Sequence, residues 1–208
     1  MAALPHTKRG GSPQDQQKRA TATRDTILAV ARALFAEAGY HATATTEIAA
    51  RAGLTRGALY HHFDDKEALF LAVSRLLAEE LAERSSAAAA GLSGNLWAQV
   101  TEAFRTYLLL IVAHADYRRI LLIDGPAILG WVRWREVQAD HVANRTADAL
   151  QLLMDADLVE PRATLPLATM IQAALHDAAL TMANAPETGA TRDEALATFL
   201  FILRGIGR

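Results

Sequence analysis

The sequence predicts an all-α protein, and three observations predict it. Apolar residues recur at three- and four-residue spacing through most of the chain. No stretch shows the strict alternation of a half-buried strand, and glycine or proline breaks punctuate the helical runs. Composition agrees: 51% of the 208 residues are apolar, enough for a sizeable core. There is no cysteine, so stability must come from packing rather than from disulfides or a thiolate metal site. No apolar run approaches the roughly 18 residues of a membrane span, and the opening MAALPHTKRGGSPQDQQKR lacks the apolar middle of a secretory signal. The expectation is a cytoplasmic protein with no membrane partner, no metal and no cofactor.

In chain order, residues 1–20 combine Pro5, Gly10, Gly11 and Pro13 with polar residues and read as a disordered basic arm. Lys8, Arg9, Lys18 and Arg19 either touch phosphates there or are simply solvated. From Arg24 the spacing of Ile27, Leu28, Ala31, Leu34 and Phe35 draws one face of a first helix, stopped at Gly39. A short second helix is expected over 45–52, ending at Gly53, and a third over 56–62. Asp64 or Asp65 caps a long fourth helix whose apolar stripe is Leu69, Phe70, Val73, Leu76, Leu77 and Leu81. The small-residue segment SSAAAAGLSGN, residues 85–95, marks a boundary. Further helices are expected over 96–113, 131–156, 165–183 and 192–203, separated by Gly125-Pro126, Pro161 and residues 186–189. The organisation expected is an arm over 1–20, a helix-turn-helix module over 21–75 and a second helical domain over 76–208.

Charge is uneven along the chain. Residues 1–75 hold ten Lys and Arg against seven acids, and residues 76–208 eleven against sixteen, for a total of -2. Only the N-terminal part suits a polyanion. There, EIAARAGLTRGALY fits two short helices joined by a tight turn, the second placed to enter a major groove. Ile48, Ala49 and Ala52 give the first helix a small apolar face, Gly53 permits the turn, and Leu54 and Leu59 plug the core. Thr55 is placed to cap the recognition helix. Gly57 costs helix propensity but allows close backbone approach. Arg56, His61 and His62 can donate to phosphates or base edges, Tyr60 offers a rigid ring with a hydroxyl, and Lys66 adds a phosphate contact. Phe63 is expected to pack inward. Adjacent His61 and His62 point about 100° apart on a helix, which does not favour a metal.

The run GYHATATTEIAARAGLTRGALYHHFDDKEALF, residues 39–70, resembles the DNA-binding domain of the tetracycline-repressor (TetR) family. The shared features are Gly39-Tyr40, Thr43, Ile48-Ala49, Gly53-Leu54-Thr55, Gly57 with Leu59, Tyr60 and Phe63, and Lys66-Glu67. The resemblance implies contacts to double-stranded operator DNA from Thr45, Thr46, Thr55, Arg56, Gly57, Tyr60, His61, His62 and Lys66. It also implies a homodimer, a small-molecule effector and, by default, repression. One departure is Ala44, where family members commonly place the Ser or Thr of a capping box; without Thr43 or Thr45 as substitute this costs about 1 kcal/mol.

Beyond about residue 75 the resemblance carries only architecture: helices that dimerise and enclose an effector pocket. The last two helices, with Met170, Ile171, Ala174, Leu175, Leu180, Phe199 and Ile202, suit a four-helix interface with a second copy or an internal core. Candidate pocket residues are Trp97, Phe104, Tyr107, Leu108, Ile111, His114, Tyr117, Trp131, Trp134, His141, Gln172 and His176, apolar walls with a few polar groups. An enzyme is the rival class. No Gly-rich phosphate loop, HExxH or GxSxG occurs, and Asp140-His141 and Asp177-His176 are adjacent pairs whose side chains do not meet on a helix. A ligand-independent DNA-binding protein is the third reading.

Overall fold

The computed structural model describes residues 12–92, 95–186 and 190–207. Lys8 and Arg9 of the expected arm, and residues 187–189 of the expected last break, lie outside them. Among the described residues there are nine α-helices: α1 (Pro13–Ala42), α2 (Thr45–Arg51), α3 (Arg56–His62), α4 (Lys66–Ala90), α5 (Leu96–Ala113), α6 (Gly125–Gln138), α7 (Asn144–Asp155), α8 (Thr164–Asn184) and α9 (Ala190–Arg204). Two π-helical stretches, Tyr117–Asp124 and Ala139–Ala143, link α5 to α6 and α6 to α7. An isolated bridge between Val159 and Gly207 is the extent of extended pairing among these residues. No described helix is long and apolar enough to cross a membrane.

α1 begins at Pro13, so residues 13–20 are helical rather than part of a disordered arm. The reason is local: the Ser12 hydroxyl accepts from the Asp15 N–H at 3.2 Å, the Asp15 carboxylate accepts from the Ser12 N–H at 3.2 Å, and Pro13 occupies the first turn. Ile27, Leu28, Ala31, Leu34 and Phe35 are all buried as the periodicity requires. α4 also differs from expectation. It runs unbroken to Ala90, so residues 85–90 are not a linker, and Ser85 and Ala89 are buried. Asp65 caps it, accepting from the Ala68 N–H at 2.6 Å. Leu76 is exposed, one position off the buried stripe of Leu69, Phe70, Val73, Leu77 and Leu81. Gly125-Pro126 is no break either: Gly125 is helical and Pro126 lies in the first turn of α6, while the kink falls at Gly130, with φ 69°. A side chain at Gly125 would collide with the buried Trp134 ring at 2.6 Å.

The N-terminal helices are fastened to the rest by two polar clamps. Arg32 of α1 donates to Glu80 of α4 at 2.6 Å and to Asp116 at 2.7 Å, and Tyr117 donates to Glu80 at 2.7 Å. Asp124 is buried; it accepts from the Tyr40 N–H at 2.9 Å and pairs with Arg119 at 3.3 Å. Gly39, at φ 80°, lies directly under that guanidinium, where a Cβ would sit 2.1 Å from Nη2. Glycine is therefore favoured there by its positive φ, and its lack of a side chain leaves room for the Arg119 guanidinium.

On the far side, α8 packs along α9. Ile171, Leu175 and Phe199 belong to the core of the protomer rather than to an outward surface. Leu165 and Met170 of α8 and Phe201 and Ile202 of α9 are exposed, Met170 and Phe201 at 72% and 76%.

Two outcomes follow. Ala44 is the N-cap of α2 and makes no side-chain cap bond. Thr43 is committed to the Leu34 and Gly39 carbonyls and Thr45 to Tyr60, so neither substitutes. Ala44→Ser, three residues before Glu47, is expected to raise unfolding free energy by about 1 kcal/mol in denaturant titration; an unchanged midpoint would contradict the missing cap. Second, burial raises the Glu80 carboxyl, but the Arg32 and Tyr117 hydrogen bonds and the Arg32 charge outweigh it and hold it below its ordinary value of 4.5. A depressed folded value means stabilisation that is complete above that pH and lost as pH falls through the folded value. Glu80→Gln is expected to start less stable and to lose less on acidification below 4.5, read from midpoints across pH; parallel curves would remove Glu80 from the clamp.

Candidate functional site

The α2–α3 corner is built by backbone as much as by side chains. Leu54 N–H reaches back to the Ala49 carbonyl at 2.8 Å, and Gly53 takes φ 71° to make this possible. Ile48 and Ala49 from α2 meet Leu59 from α3, all buried, and Phe63 closes the end of α3 beneath the Arg24 guanidinium, 4.8 Å from its ring. With Leu59 and Phe63 inward, the opposite face of α3 is left outward. Thr55 caps that helix, its hydroxyl accepting from the Ala58 N–H at 3.2 Å.

Thr46, Thr55, Arg56, Gly57 and His61 are exposed, and Thr45, Tyr60, His62 and Lys66 are half-buried around them. All nine lie on α2, α3, their turn or the start of α4. A Cβ on Gly57 would meet nothing nearer than the Thr55 hydroxyl at 4.0 Å. Packing within the protein therefore makes no demand for glycine there, and the helix surface at Gly57 is unobstructed. Tyr60 is held in place: its hydroxyl is 3.2 Å from that of Thr45, and Arg56 lies 5.4 Å from its ring. The bond to Thr45, with Arg56 alongside, draws the Tyr60 hydroxyl below its ordinary pKa. Lys66 sits 4.3 Å from the Tyr40 ring and donates to the His41 carbonyl at 3.5 Å; burial lowers its pKa, against the opposing pull of Tyr60. Tyr40 and His41 are thus the unforeseen supports of this surface. The Gly39-Tyr40 pair was legible as a helix end, but nothing in the spacing tells that its ring would carry Lys66.

The structure divides the candidate pocket residues between two cavities. The first, about 260 Å³, lies between α4, α5, α7 and α8 and is lined by Phe104 and Tyr107, with Ala82, Ser85, Arg145 and Thr146, which sequence reasoning did not single out. The second, about 250 Å³, lies between α6, the Ala139–Ala143 stretch and α8, and takes Trp131, Trp134, Gln172 and His176. Burial lowers the His176 pKa, with Asp177 opposing. Gln172 donates to Thr146 at 3.2 Å, joining the two walls. Of the remaining candidates, Trp97, Leu108, Ile111, His114 and Tyr117 line neither. Leu108 and Ile111 are packed in the core, and Tyr117 is buried with its hydroxyl on Glu80. His114 is exposed beside Arg84, and Trp97 lies against Gly207. The His141 side chain lies outside those described.

Comparison with known proteins matches two stretches of the chain to one family. Residues 27–73 match the bacterial regulatory proteins of the tetR family, and residues 97–206 match the tetracyclin repressor-like C-terminal domain. The HTH-type transcriptional repressor AcnR of Corynebacterium efficiens is 45% identical over 64 residues, 31% of this chain and 34% of that protein. The match thus spans about a third of the length of the curated relatives. A crystal structure of a TetR-family transcriptional regulator from Pectobacterium atrosepticum aligns with TM-score 0.78 and 31% identity over 92% of this chain and 97% of that one. AibR, solved with isovaleryl coenzyme A and operator DNA, shares the fold at TM-score 0.57 and 20% identity, over 86% and 97% of the two chains. With a C-terminal match over more than half of its length, an N-terminal match beside it and a 31%-identical structure along nearly all of it, this chain belongs to the TetR family of bacterial regulatory proteins.

Proposed function

We propose that the protein is a transcriptional repressor that binds a palindromic operator as a homodimer and is released by a small molecule, working in the cytoplasm, where the operator is, and not as an enzyme. The observation that carries the reading is the outward surface of α2, α3 and the start of α4, where Arg56, Gly57, Tyr60, His61 and Lys66 come together. Exposed cationic and hydroxyl donors flanking an unobstructed glycine suit a phosphate backbone and a groove floor. Residues 21–75 are taken as the DNA-binding part and the helices after them as the effector and dimer part.

The outward apolar strip of Leu165, Met170, Phe201 and Ile202 supports dimerisation through α8 and α9, because two helices from each copy bury it as a four-helix packing. α4 supports the switch. It carries Lys66 at one end and Ala82, Ser85 and Ala89 of the first cavity wall at the other, in one helix. A ligand that shifts the cavity end of α4 changes the spacing of the two α3 helices. The coupling is reciprocal, so operator DNA weakens ligand binding by the same factor. AibR, which has the same fold, is seen with both kinds of partner.

Three measurements test this. Tyr60→Ala and Lys66→Ala are expected to weaken operator binding by about 1 kcal/mol or more each, in a gel-shift or anisotropy titration, while sedimentation still shows a folded dimer; full affinity in the double variant would remove this surface from the DNA contact. Operator affinity is also expected to fall steeply and linearly on a log–log plot against salt, because phosphate contacts release counterions; a flat response would contradict the contact set. In parallel, Met170→Glu with Phe201→Glu is expected to yield monomers and lose operator binding together, whereas a persisting dimer would place the interface elsewhere.

A further inference from the structure

We infer that the cavity between α4, α5, α7 and α8 takes a neutral, mostly apolar molecule that presents a carbonyl oxygen to the Tyr107 hydroxyl. The inference rests on the effector reading above and adds the chemistry of the ligand.

Tyr107 is 6% exposed, and its hydroxyl has no hydrogen-bond partner among the described residues. Yet no side-chain nitrogen or oxygen among them is both fully enclosed and unpartnered. The hydroxyl therefore keeps some open area, and Tyr107 is among the residues that line this cavity. Burial pushes its pKa up, so it remains a neutral donor.

Most of the other polar groups of the wall have partners within the protein. The Ser85 hydroxyl donates to the Leu81 and Ala82 carbonyls at 2.8 and 3.1 Å, and the Gln99 amide to the Leu92 carbonyl at 2.8 Å. Arg145 at the rim is paired with Glu79. Thr146 receives the Gln172 amide and keeps only its own hydrogen to offer. Ser86 is exposed, and the rest of the surface is apolar, from Val100, Phe104 and Leu175 among others.

This pattern selects among ligand classes. An anion would find its one nearby cation already neutralised by Glu79, and would enter an apolar site at the full cost of losing its water. A cation would find the matching carboxylate occupied. A pure hydrocarbon would fit the walls but leave the phenol O–H unpaired, a loss that an unsatisfied buried donor makes large. A carbonyl oxygen completes the bond that the Tyr107 hydroxyl leaves open, and the hydroxyl of Thr146 offers a second donor.

Three probes of similar shape separate these classes: butyrophenone, n-butylbenzene and 4-phenylbutyrate, titrated calorimetrically into the full-length protein and into Tyr107→Phe. For the unaltered protein, the ketone is expected to bind about tenfold more tightly than the hydrocarbon, and the carboxylate more weakly than either. In Tyr107→Phe the ketone is expected to fall to the hydrocarbon's level while the hydrocarbon is unaffected. The variant's melting temperature is expected to equal or exceed the parent's, since the lost hydroxyl made no bond. Equal ketone and hydrocarbon affinities, a ketone affinity that survives Tyr107→Phe, preference for the carboxylate, or no binding by any probe would each overturn the inference. Operator binding by the same unliganded preparation is measured separately: its absence would sink the regulator reading while leaving the probe results to stand.

Discussion

Arg32 is the residue through which the N-terminal helices are joined to the rest. It leaves α1 to meet Glu80 on α4 and Asp116 at the head of the π-helical stretch, and Tyr117 completes the group by donating to Glu80. These side chains are partly exposed, at 28%, 34% and 18% for Arg32, Glu80 and Asp116, so each single pair is weakened by solvent. Their worth lies in geometry: one guanidinium fork satisfies two carboxylates on two different elements, so loss of any member leaves another half-paired. The second clamp, Asp124 on the Tyr40 N–H with Arg119 over Gly39, fixes the end of α1 from which α2 departs. The orientation of α2 and α3, and so the outward face of Tyr60 and Arg56, depends on these two joints.

With α1 so held, α4 is the mechanical link. It begins at Lys66, which rests on Tyr40 and the His41 carbonyl, passes Glu80 at the clamp, and ends along the first cavity at Ala82, Ser85 and Ala89. The small side chains of its last turns leave the space that α5, α7 and α8 enclose. The helix that borders that space is the same helix that carries Lys66, which is the physical content of the proposed switch. The Gln172–Thr146 bond joins a residue of the second cavity wall to one of the first.

Where local chemistry decides structure, the sequence was legible. The turn at Gly53, the Thr55 cap and the inward Leu59 and Phe63 follow from turn conformation, capping and periodicity, and the structure has them as read. Composition misled in three places. Ser12-Pro13-Gln14-Asp15 looks like loop but is a capping box and helix start. Ser85 to Ala90 looks like a linker, yet alanine is the best helix former, and two of its positions are buried against neighbours. Gly125-Pro126 looks like a stop, but proline in a first helical turn is at home and the true kink waits for Gly130. The cavities were legible only as a set of residue types. Periodicity marks Leu108, Ile111 and Tyr117 as apolar-facing just as it marks Phe104 and Tyr107. Which of them border empty space depends on small residues contributed by another helix.

The central claim is that this surface reads a two-fold symmetric operator, and selection of bound sequences from a random duplex pool tests it most directly. The account predicts enrichment of an inverted repeat whose half-sites are separated by about one helical turn or a multiple of it, with enrichment abolished by Tyr60→Ala combined with Lys66→Ala. Recovery of duplexes with no shared sequence, or of a single unsymmetrical site, would contradict it.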